Sequence, residues 1–261
     1  MLLFIIDSNM IVQEEFQRTA MLLGEPALET LMACNVAVVG VGGVGGYVVE
    51  ALARSGIGEL HLVDSDRVVA SNINRQIIAL HSTIGQYKVD VAARRVSDIN
   101  PNCVVKTYKM FYLPDTANDI DLSQMDYVVD CVDTVAAKLH LIQICKQIDV
   151  PLICSMGAAN KMDPTAFRVS DIKDTIMDPL AKVIRKKMRK LGLKNQKVVW
   201  SPETPLAALG VREGEKPVPA SNAFVPPVAG LVIAGEVVKD LLARDHTFRN
   251  SDKHLVPPLE K

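Results

Sequence analysis

The stretch Asn35-Val-Ala-Val-Val-Gly-Val-Gly-Gly-Val-Gly-Gly46 decides the reading of this chain. Four apolar β-formers, Val36 to Val39, run into a glycine-rich turn, and the helical pattern Tyr47-Val-Val-Glu-Ala-Leu-Ala53 starts at once. Gly40, Gly42 and Gly45, with Gly43 among them, fit G-x-G-x-x-G, the fingerprint that seats a phosphate on a helix N-terminus. Glycine lets the backbone turn sharply, brings N–H groups up to phosphate oxygens and lets the helix pack closely on the strand. The next apolar run, Leu60-His-Leu-Val63, ends at Asp64. That is roughly 20 residues further on, where a ribose-binding carboxylate belongs. Strand, turn, helix, strand and acid in this order point to nucleotide binding.

Working outward, residues 13–33 read as one or two helices interrupted at Gly24-Glu-Pro26. Strands are predicted at 59–64, 103–108, 126–130 and 151–155, with helices at 85–99 and 134–148 between them. This alternation implies an α/β class: a Rossmann-like, doubly wound, mostly parallel sheet with helices on both faces. The ATP-binding portion spans 13–157. A C-terminal α+β extension, 158–243, belongs to the same domain, and 244–261 is a polar tail expected to fray. Within the extension, 167–172 is a candidate strand, and Asp178-Pro179 opens a helix to about Leu191 through a capping carboxylate and a first-turn proline. Residues 201–222 read as loop, and a final apolar helix runs from about Val228 to Ala243.

Over 261 residues, 49% apolar and 23% charged content are those of a globular protein able to fill a core, and the net charge of −1 points to no polyanion globally. Met1-Leu-Leu-Phe-Ile-Ile6 is short and lacks a basic flank, so it does not read as a signal peptide, and no run reaches membrane-spanning length. Whether residues 1–11 are native or a start-site extension is left open. The five cysteines, Cys34, Cys103, Cys131, Cys145 and Cys154, contain no C-x-x-C and suit buried thiols in a reducing cytoplasm.

A dinucleotide oxidoreductase is the default for such a first half, but three features argue against it. The polar run Asn72-Ile-Asn-Arg-Gln76 follows the second strand, Lys88 lies on the next helix, and Asp133 sits just past the fourth strand. Ligands of open α/β sheets bind at that carboxyl end. Arginine, lysine and carboxylate around a phosphate-binding turn make a triphosphate inventory: the cations offset phosphate charge and the carboxylate holds magnesium. A Walker A motif is absent from the sequence, so this is not a P-loop ATPase.

The G-x-G-G-x-G-G turn, Asp64-x-Asp66, Ser71-Asn-Ile-Asn-Arg-Gln76, Lys88 and Cys131-x-Asp133 resemble the ubiquitin-activating-enzyme superfamily of adenylyltransferases. Phe16-Gln-Arg-Thr-Ala20 with Gly24, Asp163-Pro-Thr165 and Asp174-Thr-Ile-Met-Asp-Pro-Leu180 narrow the resemblance to the tRNA threonylcarbamoyladenosine dehydratases. The resemblance covers roughly residues 13–243. It implies ATP-dependent cyclisation: the threonylcarbamoyl carboxylate on an anticodon-loop adenosine is adenylated, then closes on its carbamoyl group. Arg75 and Lys88 would stabilise charge on the α-phosphate and the leaving pyrophosphate, Asp133 would hold Mg2+, and Asp64, with Asp66, would serve the nucleotide. Asn72 and Gln76 would offer neutral hydrogen bonds to phosphate or metal-bound water. The resemblance also implies a homodimer in which Arg18 reaches the neighbouring subunit's nucleotide; read alone, Arg18 is equally a surface arginine. A monovalent cation near the nucleotide is a further candidate that the sequence leaves open.

The predicted helix from 179 carries Lys182, Arg185, Lys186, Lys187, Arg189 and Lys190 and no acid between 182 and 190. A charge run is commonly a solvated face; in a near-neutral chain this one also fits a tRNA backbone. Trp200, Phe224 and Tyr112 are candidates to stack on a base. Cys131 and Cys154 read as packed rather than reactive. With no cysteine after Cys154, and Pro219-Ala-Ser-Asn222 where some dehydratases carry one, thioester or persulfide transfer is disfavoured. Two alternatives remain: an adenylyltransferase activating the C-terminus of a ubiquitin-like or sulfur-carrier protein, and a nucleotide-gated RNA-binding scaffold without catalysis.

Overall fold

The structure, a computed structural model, describes residues 12–207 and 219–247. After a 3-10 turn at Glu14–Phe16 come α1 (Gln17–Leu23) and α2 (Glu25–Met32), separated by Gly24 as the sequence predicts. Then follow β1 (Asn35–Val39), α3 (Gly45–Arg54), β2 (Glu59–Val63), α4 (Lys88–Ile99), β3 (Val104–Tyr108), β4 (Tyr127–Asp130), α5 (Val135–Gln147) and β5 (Leu152–Ser155). The C-terminal part supplies β6 (Arg168–Asp171), α6 (Pro179–Lys190), β7 (Lys197–Trp200) and α7 (Val225–Arg244).

The strands make one sheet in the order β3-β2-β1-β4-β5-β7-β6, parallel throughout except for β6, which runs antiparallel to β7. Alternate residues serve opposite faces, as a pleated strand dictates. Val36 and Val38 of β1 pack with α2, α3, α4 and α7, while Ala37 and Val39 pack with α5 and α6. Covered on both sides, β1, β4 and β5 are runs of apolar residues rather than alternations. The chain order reverses between β1 and β4, which opens a crevice at the carboxyl ends of the strands.

Three features depart from the sequence reading. The extension continues the sheet through β7, which the sequence did not announce: Val198, Val199 and Trp200 are a short apolar run that becomes a strand only because β5 and β6 flank it. The helix expected from residue 85 starts at Lys88, because Tyr87 is held extended in a bridge to Arg67 and Gly85 turns with φ +84°. The final helix starts three residues early. Asn222 Oδ1 accepts the N–H groups of Phe224 and Val225, and the prolines at 226 and 227 sit in the first turn where their missing N–H costs nothing. No helix among the described residues is long and apolar enough to cross a membrane. The opening segment 1–11 and most of the polar tail lie outside the described residues.

Candidate active site

The glycine turn is built so that only glycine fits at two points. Gly40 has φ +91°, and a Cβ there would lie 2.9 Å from the backbone carbon and oxygen of Cys131. A Cβ at Gly45 would lie 1.8 Å from the Gly40 carbonyl oxygen. The turn therefore lies flat against the end of β4, and its N–H groups and the N-terminus of α3 face a cavity of about 600 Å3. That volume and the convergence of polar groups on it are those of a small-ligand site.

Carboxyl ends of β1, β2, β4 and β5 form its floor, with Gly40, Gly42, Gly43, Asp64, Asp66, Asn72, Arg75, Gln76, Lys88 and Asp133 in the lining. Asp64 ties the turn in place: its two oxygens accept the N–H groups of Val41 at 2.7 Å and Asp66 at 2.8 Å. Burial pushes its carboxyl above the ordinary aspartate range, opposed by Lys88 and by those two N–H groups. Lys88, buried at the start of α4, lies 2.7 Å from Asp66 Oδ2 and 4.0 Å from Asp64 Oδ1. Asp66 is thus first a partner of the lysine. A cation held at the cavity wall by two carboxylates is oriented in advance for a polyphosphate.

The run 71–76 is wound into a tight turn. Asn72 Oδ1 accepts the Val69 N–H, and Arg75 Nη1 donates to the Ser71 carbonyl and to Asn74 Oδ1, which fixes the guanidinium beside the glycine turn. The Gln76 carboxamide oxygen is buried in the cavity lining with no hydrogen-bond partner among the described residues. A buried polar atom without a partner is costly, so this oxygen suits a ligand or water donor. Asp133 is exposed just beyond β4, its carboxylate free of any ion pair among the described residues. Beneath it, Asp130 Oδ1 accepts the Val132 N–H, and Asp130 Oδ2 meets Lys138 Nζ at 2.9 Å with neither side chain exposed.

Among the described residues no three His, Cys, Asp or Glu side chains cluster as an all-protein metal cage. A hard, oxygen-coordinated cation held by one carboxylate and by nucleotide phosphates needs none, and Asp133 fits that use. The thiols are packed rather than reactive: burial and the nearby Asp130 push Cys131 well up, and Cys145 is pushed up to about 12.

Several expected residues lie elsewhere. Arg18 is exposed on α1, outside the cavity of its own chain. Lys182, Lys186, Lys187, Arg189 and Lys190 form an exposed basic face on α6. Arg185 departs from that pattern: its Nη1 donates to the carbonyls of Ile172 and Thr175, so it serves the fold. Trp200 is buried with Nε1 donating to Ser170 Oγ, and Tyr112 is buried with its hydroxyl on His140, so neither is free to stack. Phe224 is partly exposed but outside the lining. The aromatic that does present a face is Phe111, 52% exposed in the cavity wall beside Met110. Its signal in the sequence is an apolar run, Met110-Phe-Tyr112, continuing past the end of a strand.

The ThiF family model matches residues 16–255. The chain is similar to tRNA threonylcarbamoyladenosine dehydratase of Bacillus subtilis, with 47% identity over 252 residues, covering 92% of this chain and 99% of that one. Among solved structures it is similar to the E. coli tRNA N6-threonylcarbamoyladenosine dehydratase in complex with AMP (TM-score 0.82, 32% identity) and in complex with ATP (TM-score 0.80, 33% identity). Each match covers 91% of this chain and 99% of that one.

Proposed function

The chain belongs to the ThiF family, and from that premise we propose that it acts as an ATP-dependent tRNA threonylcarbamoyladenosine dehydratase. The observation that carries this reading is the cavity: Arg75, Lys88 and Asp133 converge on a glycine turn, in a chain similar over nine-tenths of its length to an ATP-bound dehydratase.

The reaction runs in two steps. A carboxylate oxygen of the threonylcarbamoyl group attacks the α-phosphorus of ATP, the Pα–O bond to the β-phosphate breaks, and pyrophosphate leaves. The carbamoyl group then attacks the activated acyl carbon, the bond to AMP breaks, a proton is released and the ring closes. Water is removed overall, and ATP becomes AMP and pyrophosphate.

Each residue has a task set by its chemistry. The N–H groups of the turn and the α3 N-terminus bind phosphate oxygens. Arg75 and Lys88 stabilise the negative charge that develops on the α-phosphate and the leaving pyrophosphate. Asp64 accepts ribose hydroxyls, and Asn72 and Gln76 orient phosphate oxygens or water. Met110 and Phe111 present apolar surface to a base. Asp133 would hold magnesium, which when bound supplies Lewis-acid stabilisation of phosphate charge.

The exposed cations of α6 would carry the tRNA backbone. This helix starts at the cavity edge, where Leu180 is in the lining, so a phosphate track along it leads to the nucleotide. A homodimer gives Arg18 a role, since it could reach only a neighbour's cavity. The cytoplasm, where the tRNA is, is the proposed location.

The test is nucleoside mass spectrometry. tRNA carrying threonylcarbamoyladenosine, incubated with the protein and ATP, is expected to yield a nucleoside lighter by one water. An unchanged nucleoside with ATP bound would refute the reading.

A further inference from the structure

Asp178 caps the basic helix, yet its carboxylate does more than cap. Oδ1 accepts the Ala181 N–H of α6 at 2.9 Å, whereas Oδ2 accepts the Gly157 N–H at 3.0 Å and lies 3.5 Å from Lys161 Nζ. Gly157 belongs to the cavity wall after β5, and a Cβ there would meet Asp178 Oδ2 at 3.3 Å. Lys161 also donates to the Ser201 carbonyl at the exit of β7, at 3.0 Å, and both charged side chains are almost wholly buried. Surface helix caps face water. This one is sealed between the helix, the cavity wall and the end of a strand, where its hydrogen bonds are undiluted by solvent.

We infer that Asp178 and Lys161 are positioning residues: they latch the basic helix to the cavity wall and so fix the register between tRNA lying on α6 and ATP in the glycine turn. The inference rests on the dehydratase reading for its tRNA and on geometry alone for its latch. One carboxylate hydrogen-bonds both the wall that borders the nucleotide and the first turn of the helix that would hold the RNA. The motif 174–180, which nucleotide chemistry leaves unused, thereby acquires a task.

The decisive variant is Asp178→Asn combined with Lys161→Met. Asparagine is a good helix cap and can still accept from Ala181, but its amide nitrogen would then face the Gly157 N–H, donor against donor. Methionine takes the place of the buried lysine without an orphaned charge. Pyrophosphate release with modified tRNA is expected to lose at least ~10-fold in kcat, with KM for ATP and for tRNA within about 3-fold of wild type, because a 1 Å misplacement costs rate rather than binding. Equal kcat in a folded variant, or a change confined to KM, would overturn the latch. A second readout uses ATP alone. Hydrogen exchange in the wild type is expected to slow on ATP binding both at 155–160 and in the first turn of α6, and in the variant only at the glycine turn and nearby wall. Absence of the α6 response in the wild type, or its survival in the variant, would overturn the inference. An inactive wild type that still shows the ATP-linked response would strike the dehydratase reading and leave the latch standing.

Discussion

Two buried lysine–aspartate pairs underlie the two walls of the cavity, and they are built differently. Under the glycine-turn wall, Lys138 Nζ meets Asp130 Oδ2 at 2.9 Å and the Ser155 carbonyl at 2.6 Å, with neither charged side chain exposed. Burial pulls the lysine down, but the charge and hydrogen bond of Asp130, with Cys154 and Cys131 beside it, together outweigh burial and hold Lys138 above its ordinary value. Under the opposite wall, Lys161 stands 3.5 Å from Asp178, whose oxygens are occupied by two backbone N–H groups. There burial wins over Asp178, and Lys161 falls below its ordinary value. The first pair is an electrostatic lock between β4, β5 and α5. In the second the carboxylate is chiefly a backbone acceptor, and the lysine attends it. A buried ion pair is therefore no single kind of object: what else its oxygens hold decides what it does.

The widest separation between the two should appear in stability. Lys138→Met leaves Asp130 buried with one N–H donor, an expected cost of about 3–5 kcal/mol in urea unfolding, largely recovered by adding Asp130→Asn. Lys161→Met takes the cation from Asp178 but leaves it both backbone N–H bonds, and strands the Ser201 carbonyl, an expected cost of about 1–3 kcal/mol. Equal costs would erase the distinction. A side chain of the cavity face sharpens it from the other side. Arg75→Ala should lower pyrophosphate release by roughly 10²–10³-fold while leaving the unfolding midpoint nearly unmoved.

Alkaline titration should separate the pairs by sign. Lys138 is raised, so its contribution is complete below the ordinary lysine value of 10.5 and is lost as pH climbs through the higher folded value. Lys161 is lowered, so between its folded value and 10.5 the unfolded chain binds more protons. Wild type should therefore gain on Lys161→Met as pH rises toward 10.5 and lose to Lys138→Met only above it. Unfolding curves across an alkaline series measure both. The smallest stability effect belongs to the exposed cations. Replacing Lys186 or Lys190 by alanine should change stability by less than about 0.5 kcal/mol, yet lower the salt dependence of tRNA binding by about one per lysine.

The legible parts of the chain were those whose cause is local. The turn at Gly40 to Gly45 announces itself because glycine alone fits against Cys131, and Asp178-Pro179 announces a helix because cap and first turn are adjacent in sequence. The run 71–76, Lys88 and Asp133 could be named because each follows a recognisable strand or lies on the next helix, and Asn72, Arg75, Gln76, Lys88 and Asp133 do share one cavity. What stayed hidden depends on partners far along the chain. Nothing local in the sequence marks Lys138, which Asp130 and the Ser155 carbonyl close over in the fold. Nothing local marks Lys161 either, because its partners lie at Asp178 and Ser201. β7 is defined by neighbours on either side. Trp200 invites a stacking role by type alone, and only the packed sheet shows that it is buried.

The claim on which the rest depends is that this cavity adenylates a carboxylate carried by tRNA. Its most direct test is pyrophosphate release from ATP with tRNA bearing threonylcarbamoyladenosine, beside the same tRNA unmodified. Release with the modified tRNA alone, abolished in Arg75→Ala and in Asp133→Ala, is the expected result. No release with either tRNA while ATP remains bound, or equal release with both, would contradict it.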